Sequence, residues 1–237
     1  YDEAMKEELV FVGQEEQEEL STIMYYQNAV LDELNELSEI PSTYLETGGL
    51  KIYTSLDLEA QRELEENIEE TMPDSELEVA SIMMDPETGG VIALVGGKNY
   101  NNSEYNRAIS AKRQVGSTMK PILYYAALEN GFTASTTFQS QETTFTFSNN
   151  ETYSPQNYNG KYGNQPISMA TAIAYSENIY AVKTHMFLGE DTLVDMAKRL
   201  GITSELDEVP SLALGTSEIS MLEMVGAYSA FANEGYQ

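Results

Sequence analysis

Ser117 and Lys120 stand three residues apart in Gln114-Val115-Gly116-Ser117-Thr118-Met119-Lys120-Pro121, just ahead of the apolar run Ile122-Leu123-Tyr124-Tyr125-Ala126-Ala127-Leu128. Apolar residues recur at 119, 122, 123, 126 and 127, the spacing of a buried helical face. Ser117 is predicted to cap this helix, and Pro121 falls in its first turn, where a missing N–H costs little. Gly131 after Asn130 is predicted to end it. On such a helix Ser117 and Lys120 share one face. The helix dipole and partial burial both disfavour an ammonium there, so Lys120 is expected to lose its proton near neutral pH. A neutral amine beside a hydroxyl takes its proton as the oxygen attacks a carbonyl. A serine cap followed by a surface lysine would give the same four letters, so the chemistry needs a second group.

That second group is Ser176-Glu177-Asn178, inside a buried helical region from Ile167 to Leu188. Ser168 is predicted to cap it, with Met169, Ile173 and Ala174 facing the core. A break near Ser176-Glu177-Asn178 would turn Ser176 and Asn178 into a cleft. Ser-x-x-Lys paired with Ser-x-Asn belongs to the signature of penicillin-binding proteins and serine β-lactamases.

A wider resemblance supports the pairing. The stretches from Met84 to Gly97 and from Tyr105 to Pro121 resemble the transpeptidase domain of a bifunctional class A penicillin-binding protein. Gly48 to Asp57 resembles the segment that leads into it, so the likeness covers the chain from residue 48 onward. It implies an α+β fold of the serine β-lactamase/transpeptidase type, an antiparallel sheet flanked by helices, with an N-terminal helical linker. Residues 1–75 would be the linker after a glycosyltransferase module, and residues 76–237 the transpeptidase domain. The family's third motif, Lys-Thr-Gly or Lys-Ser-Gly on a strand, is not found. Lys183-Thr184-His185 lacks the glycine and lies in helical surroundings. The resemblance therefore implies a longer polypeptide, an incomplete sheet in these residues, and a hairpin left with an unpartnered apolar edge.

The activity implied is that of a peptidoglycan D,D-transpeptidase. Ser117 would attack the carbonyl of a D-Ala-D-Ala-ended stem peptide, and an acceptor amine would resolve the ester. Lys120 would be the base, Ser176 would relay the proton to the leaving nitrogen, and the Asn178 amide would hold a substrate carbonyl. The Ser117 N–H would be one oxyanion donor. β-Lactams would acylate Ser117, and no cofactor or metal is implied. The implied partners are stem peptides, β-lactam antibiotics, a glycosyltransferase module of the same polypeptide and the cell-wall synthesis machinery. The implied location is the extracytoplasmic face of the bacterial cell membrane, with the anchor outside these residues. A D,D-carboxypeptidase or β-lactamase-type hydrolase shares the first two motifs, and a non-catalytic penicillin-binding scaffold is the remaining alternative.

Composition narrows the field. The chain has 237 residues, a net charge of -27, one histidine and no cysteine. That charge argues against nucleic acid as a partner. One histidine without cysteine argues against a zinc enzyme and excludes disulfides. His185 is expected to be packed or on the surface rather than catalytic. Residues 1–47 read as acidic and mostly helical, with Glu15 to Glu19 as a solvated charge run. Leu50 to Leu56 reads as a short strand, and Asp57 as the cap of a helix ending at Pro73. Val79 to Met84 and Val91 to Val95 read as a hairpin around Asp85-Pro86-Glu87-Thr88-Gly89-Gly90. Lys98 to Gln114 reads as a loop, its Lys112-Arg113 pair either in surface ion pairs or on a cationic rim. Thr144 to Phe147 reads as a strand before a turn at Asn149-Asn150, and the aromatics of 133–165 read mainly as packing. Thr192 to Leu200 reads as an amphipathic helix, Gly215 as a close turn, and Met221 to Ala232 as a last helix.

Overall fold

Strand-forming Val91-Ile92-Ala93-Leu94-Val95 folds back on Ser81-Ile82-Met83-Met84, giving an antiparallel hairpin of β1 (Ser81–Met84) and β2 (Val91–Val95). Its connection is closed by Asp85, whose carboxylate accepts from the Thr88 hydroxyl and the Glu87 N–H. Those bonds hold the Asp85 carboxyl below its ordinary range. The computed structural model describes residues 22–38, 41–47, 49–73, 75–147 and 150–236, so the charge run at Glu15 to Glu19 and the first residue of the Asn149-Asn150 turn lie outside the described residues.

Three helices precede the hairpin: α1 (Ile23–Glu36), α2 (Ser42–Thr47) and α3 (Leu58–Thr71). Asp57 caps α3 as expected, accepting from the Glu59 and Ala60 N–H groups. Residues 50–56 form no strand. Leu50, Ile52 and Tyr53 are exposed, so the alternation has no apolar surface to face. The segment instead meets β2 through single bonds: Asp57 N–H donates to Ile92 O, and Ser55 Oγ to Val91 O. Gln61, fully buried on α3, completes this edge. Its Nε2 donates to Leu94 O and its Oε1 accepts from Leu94 N–H, as a neighbouring strand would. The expected unpartnered hairpin edge is thus corrected on the β2 side, where side chains take the strand's place. Tyr25 and Tyr26 of α1 pack with Leu94 and Ala108 into a small core under the hairpin.

The larger core lies among later helices. These are α4 (Lys120–Glu129), α5 (Met169–Ala174), α6 (Asn178–Leu188), α7 (Glu190–Arg199) and α8 (Met221–Ala232). Ile122, Leu123, Ala126 and Ala127 of α4 meet Tyr180 and Val182 of α6, Leu193 and Ala197 of α7, and Leu212 from the 3-10 turn Pro210–Leu214. The apolar spacing of α4 and α7 is borne out, and Gly131 follows the end of α4 at a positive φ of 86°. His185 is buried in α6 with Nε2 on Val209 O, and burial lowers its pKa.

Three short antiparallel ribbons join these helices: β3 (Lys112–Gln114) with β8 (Glu218–Ser220), β4 (Thr137–Ser140) with β7 (Gln165–Ser168), and β5 (Phe145–Thr146) with β6 (Thr152–Tyr153). With the hairpin they make four two-stranded sheets and no closed sheet among the described residues. The loop expected over 98–114 is corrected at its end, because β3 finds a partner about a hundred residues away that local pattern does not reveal. Lys112 and Arg113 are exposed on β3 and make no ion pair among the described residues.

Ser220 and Glu223 form a capping box at the start of α8. The Glu223 carboxylate also accepts from the N–H and hydroxyl groups of Thr203 and Ser204. Burial would raise its pKa, but hydrogen bonds from Ser204, Ser220 and Thr203 outweigh that and hold it at about 2. A folded pKa below the ordinary 4.5 means that Glu223 stabilises the fold fully above pH 4.5 and loses that effect as pH falls toward 2. Thermal unfolding scans of Glu223→Gln should show a lower Tm at pH 7 and a flatter pH dependence across that window than the parent protein. Gly215 supplies a second test. Its φ is 70°, and a Cβ there would lie 2.1 Å from Gly116 O. Gly215→Ala should destabilise by about 2 kcal/mol or more, read as a lower urea midpoint.

Candidate active site

β3 leads directly into the turn that carries Ser117. Gly116 takes a φ of 59°, and its N–H donates to Gly215 O at 3.0 Å. Two glycines therefore lie backbone to backbone, and the Pro210–Leu214 turn sits under the serine. This contact changes the expected helix start. Gly116–Met119 is a 3-10 turn, α4 begins only at Lys120, and Ser117 makes no capping bond. The expectation of a Ser117 cap is corrected: the preceding turn is tied by Thr118 Oγ1 donating to Val115 O at 2.7 Å and by Tyr228 Oη donating to Thr118 O at 2.7 Å. Ser117 is left exposed in the turn.

Lys120, one turn on, is 3% exposed. Its Nζ donates to Ser176 O at 2.7 Å, Ser176 Oγ at 3.0 Å and Asn178 Oδ1 at 2.6 Å. Burial lowers its pKa to about 8, against the opposing charge of Glu177, which raises it. Among the described residues Ser117 Oγ takes no hydrogen bond from Lys120. The two line one pocket of about 350 Å³ with Ser176, Pro121, Tyr124, Tyr125, Leu128, Ile173 and Phe231.

The expected helix break is present. α5 ends at Ala174, α6 starts at Asn178, and Ser176 between them has a φ of 50°. Ser168 caps α5 through Thr171 N–H, as predicted. The turn delivers Ser176 and Asn178 to Lys120 together. Asn178 Nδ2 donates one N–H to Gln156 O at 2.7 Å, which orients the amide.

Sequence reasoning passed over the residue between these two. Glu177 is 7% exposed and accepts from Ser140 Oγ, Asn157 Nδ2 and Tyr180 N–H. Asn157 Oδ1 in turn accepts from the N–H groups of Asn178 and Ile179. A signal was available, since Glu177 is the only charged residue between Lys161 and Lys183, in a stretch otherwise rich in apolar residues.

This geometry places an exposed hydroxyl, a buried amine of lowered pKa and a second hydroxyl around one pocket, the parts of a serine acyl-transfer site. Comparison with known proteins points the same way. A family profile described as the penicillin binding protein transpeptidase domain matches residues 79–237. Penicillin-binding protein 2D of Bacillus subtilis is 46% identical over 236 residues, which are 99% of this chain and 34% of that protein. Penicillin-binding protein 1A/1B of the same organism is 36% identical over 98% of this chain and 26% of its own length. The chain thus spans about a third or less of these relatives. Among solved structures, penicillin-binding protein 1A of Haemophilus influenzae superposes with a TM-score of 0.63 at 31% identity, over 66% of this chain and 23% of that one. The PonA1 protein of Mycobacterium tuberculosis, solved in complex with penicillin V, gives 0.76 at 24% identity, over 89% and 59%, a likeness of fold. From its Ser-x-x-Lys turn to its family match, the chain belongs to the transpeptidase domain family of penicillin-binding proteins.

Proposed function

We propose that the chain is the acyl-transfer part of a peptidoglycan D,D-transpeptidase, with Ser117 as nucleophile and Lys120 as base. The observation that carries this reading is the buried Lys120 amine, bonded to Ser176 and Asn178 on the wall of the pocket that holds Ser117. As an ammonium, Lys120 spends its three N–H donors on Ser176 O, Ser176 Oγ and Asn178 Oδ1. Loss of one proton frees a lone pair. Ser117 Oγ then gives its proton to Nζ while its oxygen attacks the carbonyl carbon of the penultimate D-Ala of a stem peptide. The tetrahedral intermediate collapses by breaking the C–N bond. Ser176 Oγ passes its proton to the leaving nitrogen and regains one from Lys120 Nζ, to which it is already bonded. Free D-Ala departs and an ester on Ser117 remains. An acceptor amine attacks the ester, its proton returns by the same path, and Ser117 is regenerated. Water in place of the amine makes the product a shortened stem peptide, the carboxypeptidase outcome.

The wider setting belongs to the same proposal. Residues 1–75 act as a linker after a glycosyltransferase module, the transpeptidase domain starts at 76, and the site works at the extracytoplasmic face of the membrane with the cell-wall synthesis machinery. β-Lactams acylate Ser117 because their strained amide presents the same carbonyl to the same oxygen. No helix among the described residues is long and apolar enough to cross a membrane.

The test is intact-mass analysis of the complete polypeptide after exposure to penicillin, with peptide mapping of the adduct. One penicillin on Ser117 is expected, and Ser117→Ala should carry none while keeping its thermal transition. An adduct retained by Ser117→Ala overturns the assignment, and rapid loss of the adduct from the parent protein favours a hydrolase. With Lys120 titrating near 8, roughly one tenth of it is neutral at pH 7, so acylation should speed up through pH 8 and then level off. Ser176→Ala should slow acylation about 100-fold with little change in initial binding of penicillin, because its proton moves only in the transition state. An unchanged acylation rate would reduce Ser176 to a structural hydroxyl.

A further inference from the structure

We propose that Glu177 is a positioning residue of this site, its buried carboxylate fixing the turn that presents Ser176 and Asn178 and setting the charge that Lys120 faces. The inference rests on the reading of Lys120 as base. Glu177 itself makes no bond to Lys120 among the described residues. It reaches the amine's partners from behind, and in two ways.

The first is geometric. Glu177 Oε2 accepts from Tyr180 N–H, which caps α6 with a carboxylate at its positive end. Its Oε1 accepts from Ser140 Oγ at the end of β4 and from Asn157 Nδ2 at 2.7 Å. Ser140 Oγ also accepts from Gly163 N–H, and Asn157 Oδ1 holds the Asn178 and Ile179 N–H groups. One carboxylate therefore pins three segments: the β4–β7 ribbon, the 156–157 loop and the start of α6. Ser176, held at a φ of 50°, is the residue immediately before it and Asn178 the residue immediately after. An uncharged or shortened side chain leaves buried donors unpaired, at a cost that falls on this turn.

The second is electrostatic. A carboxylate 7% exposed needs nearby positive charge as well as hydrogen bonds. Lys120 on α4 and Lys183 on α6 both lie in its field, and Lys183 Nζ is anchored on Gln139 O at 2.7 Å. Burial drives protons off both lysines while Glu177 opposes it. The other titratable groups that line the pocket with Lys120 are phenols, Tyr124 and Tyr125 on its own helix. When Lys120 gives up its proton, Lys183 remains as the counter-charge of Glu177. Lys183-Thr184-His185, set aside as a motif in the sequence, thereby acquires a role through its lysine.

The experiment follows the titration of Lys120 by NMR of ε-13C-lysine in the complete polypeptide, assigned with Lys120→Met, beside the pH profile of penicillin acylation. Glu177→Gln removes the charge, so the Lys120 midpoint and the rising limb of acylation should both move to lower pH by about half a unit or more. Glu177→Asp keeps the charge but shortens the reach, so its midpoint should stay put while plateau acylation falls at least about 10-fold. A purely structural glutamate would lower the plateau in both variants and move the midpoint in neither, which overturns the electrostatic part. Wild-type plateau acylation in Glu177→Asp overturns the positioning part, and that variant decides the matter should Glu177→Gln fail to fold. If the parent protein takes up no penicillin, the acyl-transfer reading fails, and the Lys120 titration still reports on Glu177.

Discussion

Three hydrogen bonds from one amine join the two halves of this site. Lys120 Nζ spans from α4 to Ser176 and Asn178 at the break between α5 and α6. Burying an ammonium is costly unless its donors are used, and here all three are. The same burial brings the amine toward neutrality, lowering its pKa to about 8. Breaking the span would part Lys120 from Ser176 and Asn178 and leave a buried charge without those partners.

The remainder of the fold serves to keep that span short. Ser117 is presented from a 3-10 turn where Gly116 and Gly215 meet backbone to backbone, a contact that a Cβ on Gly215 would block. The β3–β8 ribbon holds the chain before the serine, and Tyr228 of α8 holds it after. On the opposite wall, Glu177 and Asn157 fix the turn bearing Ser176. Tyr125, Leu128, Ile173 and Phe231 line the apolar side of the pocket.

Much of this was legible in the sequence, for reasons tied to local pattern. The α4 stripe, the Asp57 and Ser168 caps, the Asp85–Gly90 turn and the break at Ser176 all rest on neighbours within a few residues, where spacing and propensity speak clearly. What escaped were contacts between distant residues. Lys112-Arg113-Gln114 has no strand-like alternation, and pairs with Glu218-Ile219-Ser220 only because the intervening helices return the chain. Leu50 to Leu56 alternates convincingly, but Leu50, Ile52 and Tyr53 face solvent, and the Leu94 N–H and C=O of β2 are met by the Gln61 amide. Ser117 looked like a cap because its type and position fit one, yet the glycine contact moves the helix start past it. Glu177 was hidden in plain view: between Ser176 and Asn178, its importance depends on Ser140 and Asn157, tens of residues away in the chain.

A crystal structure of the complete polypeptide after reaction with penicillin tests the central claim most directly. The account predicts an ester on Ser117 Oγ, with Lys120 Nζ within about 3.2 Å of that oxygen and still bonded to Ser176. An acyl group on any other residue, or Lys120 turned out of the pocket with the ester on Ser117, would contradict it.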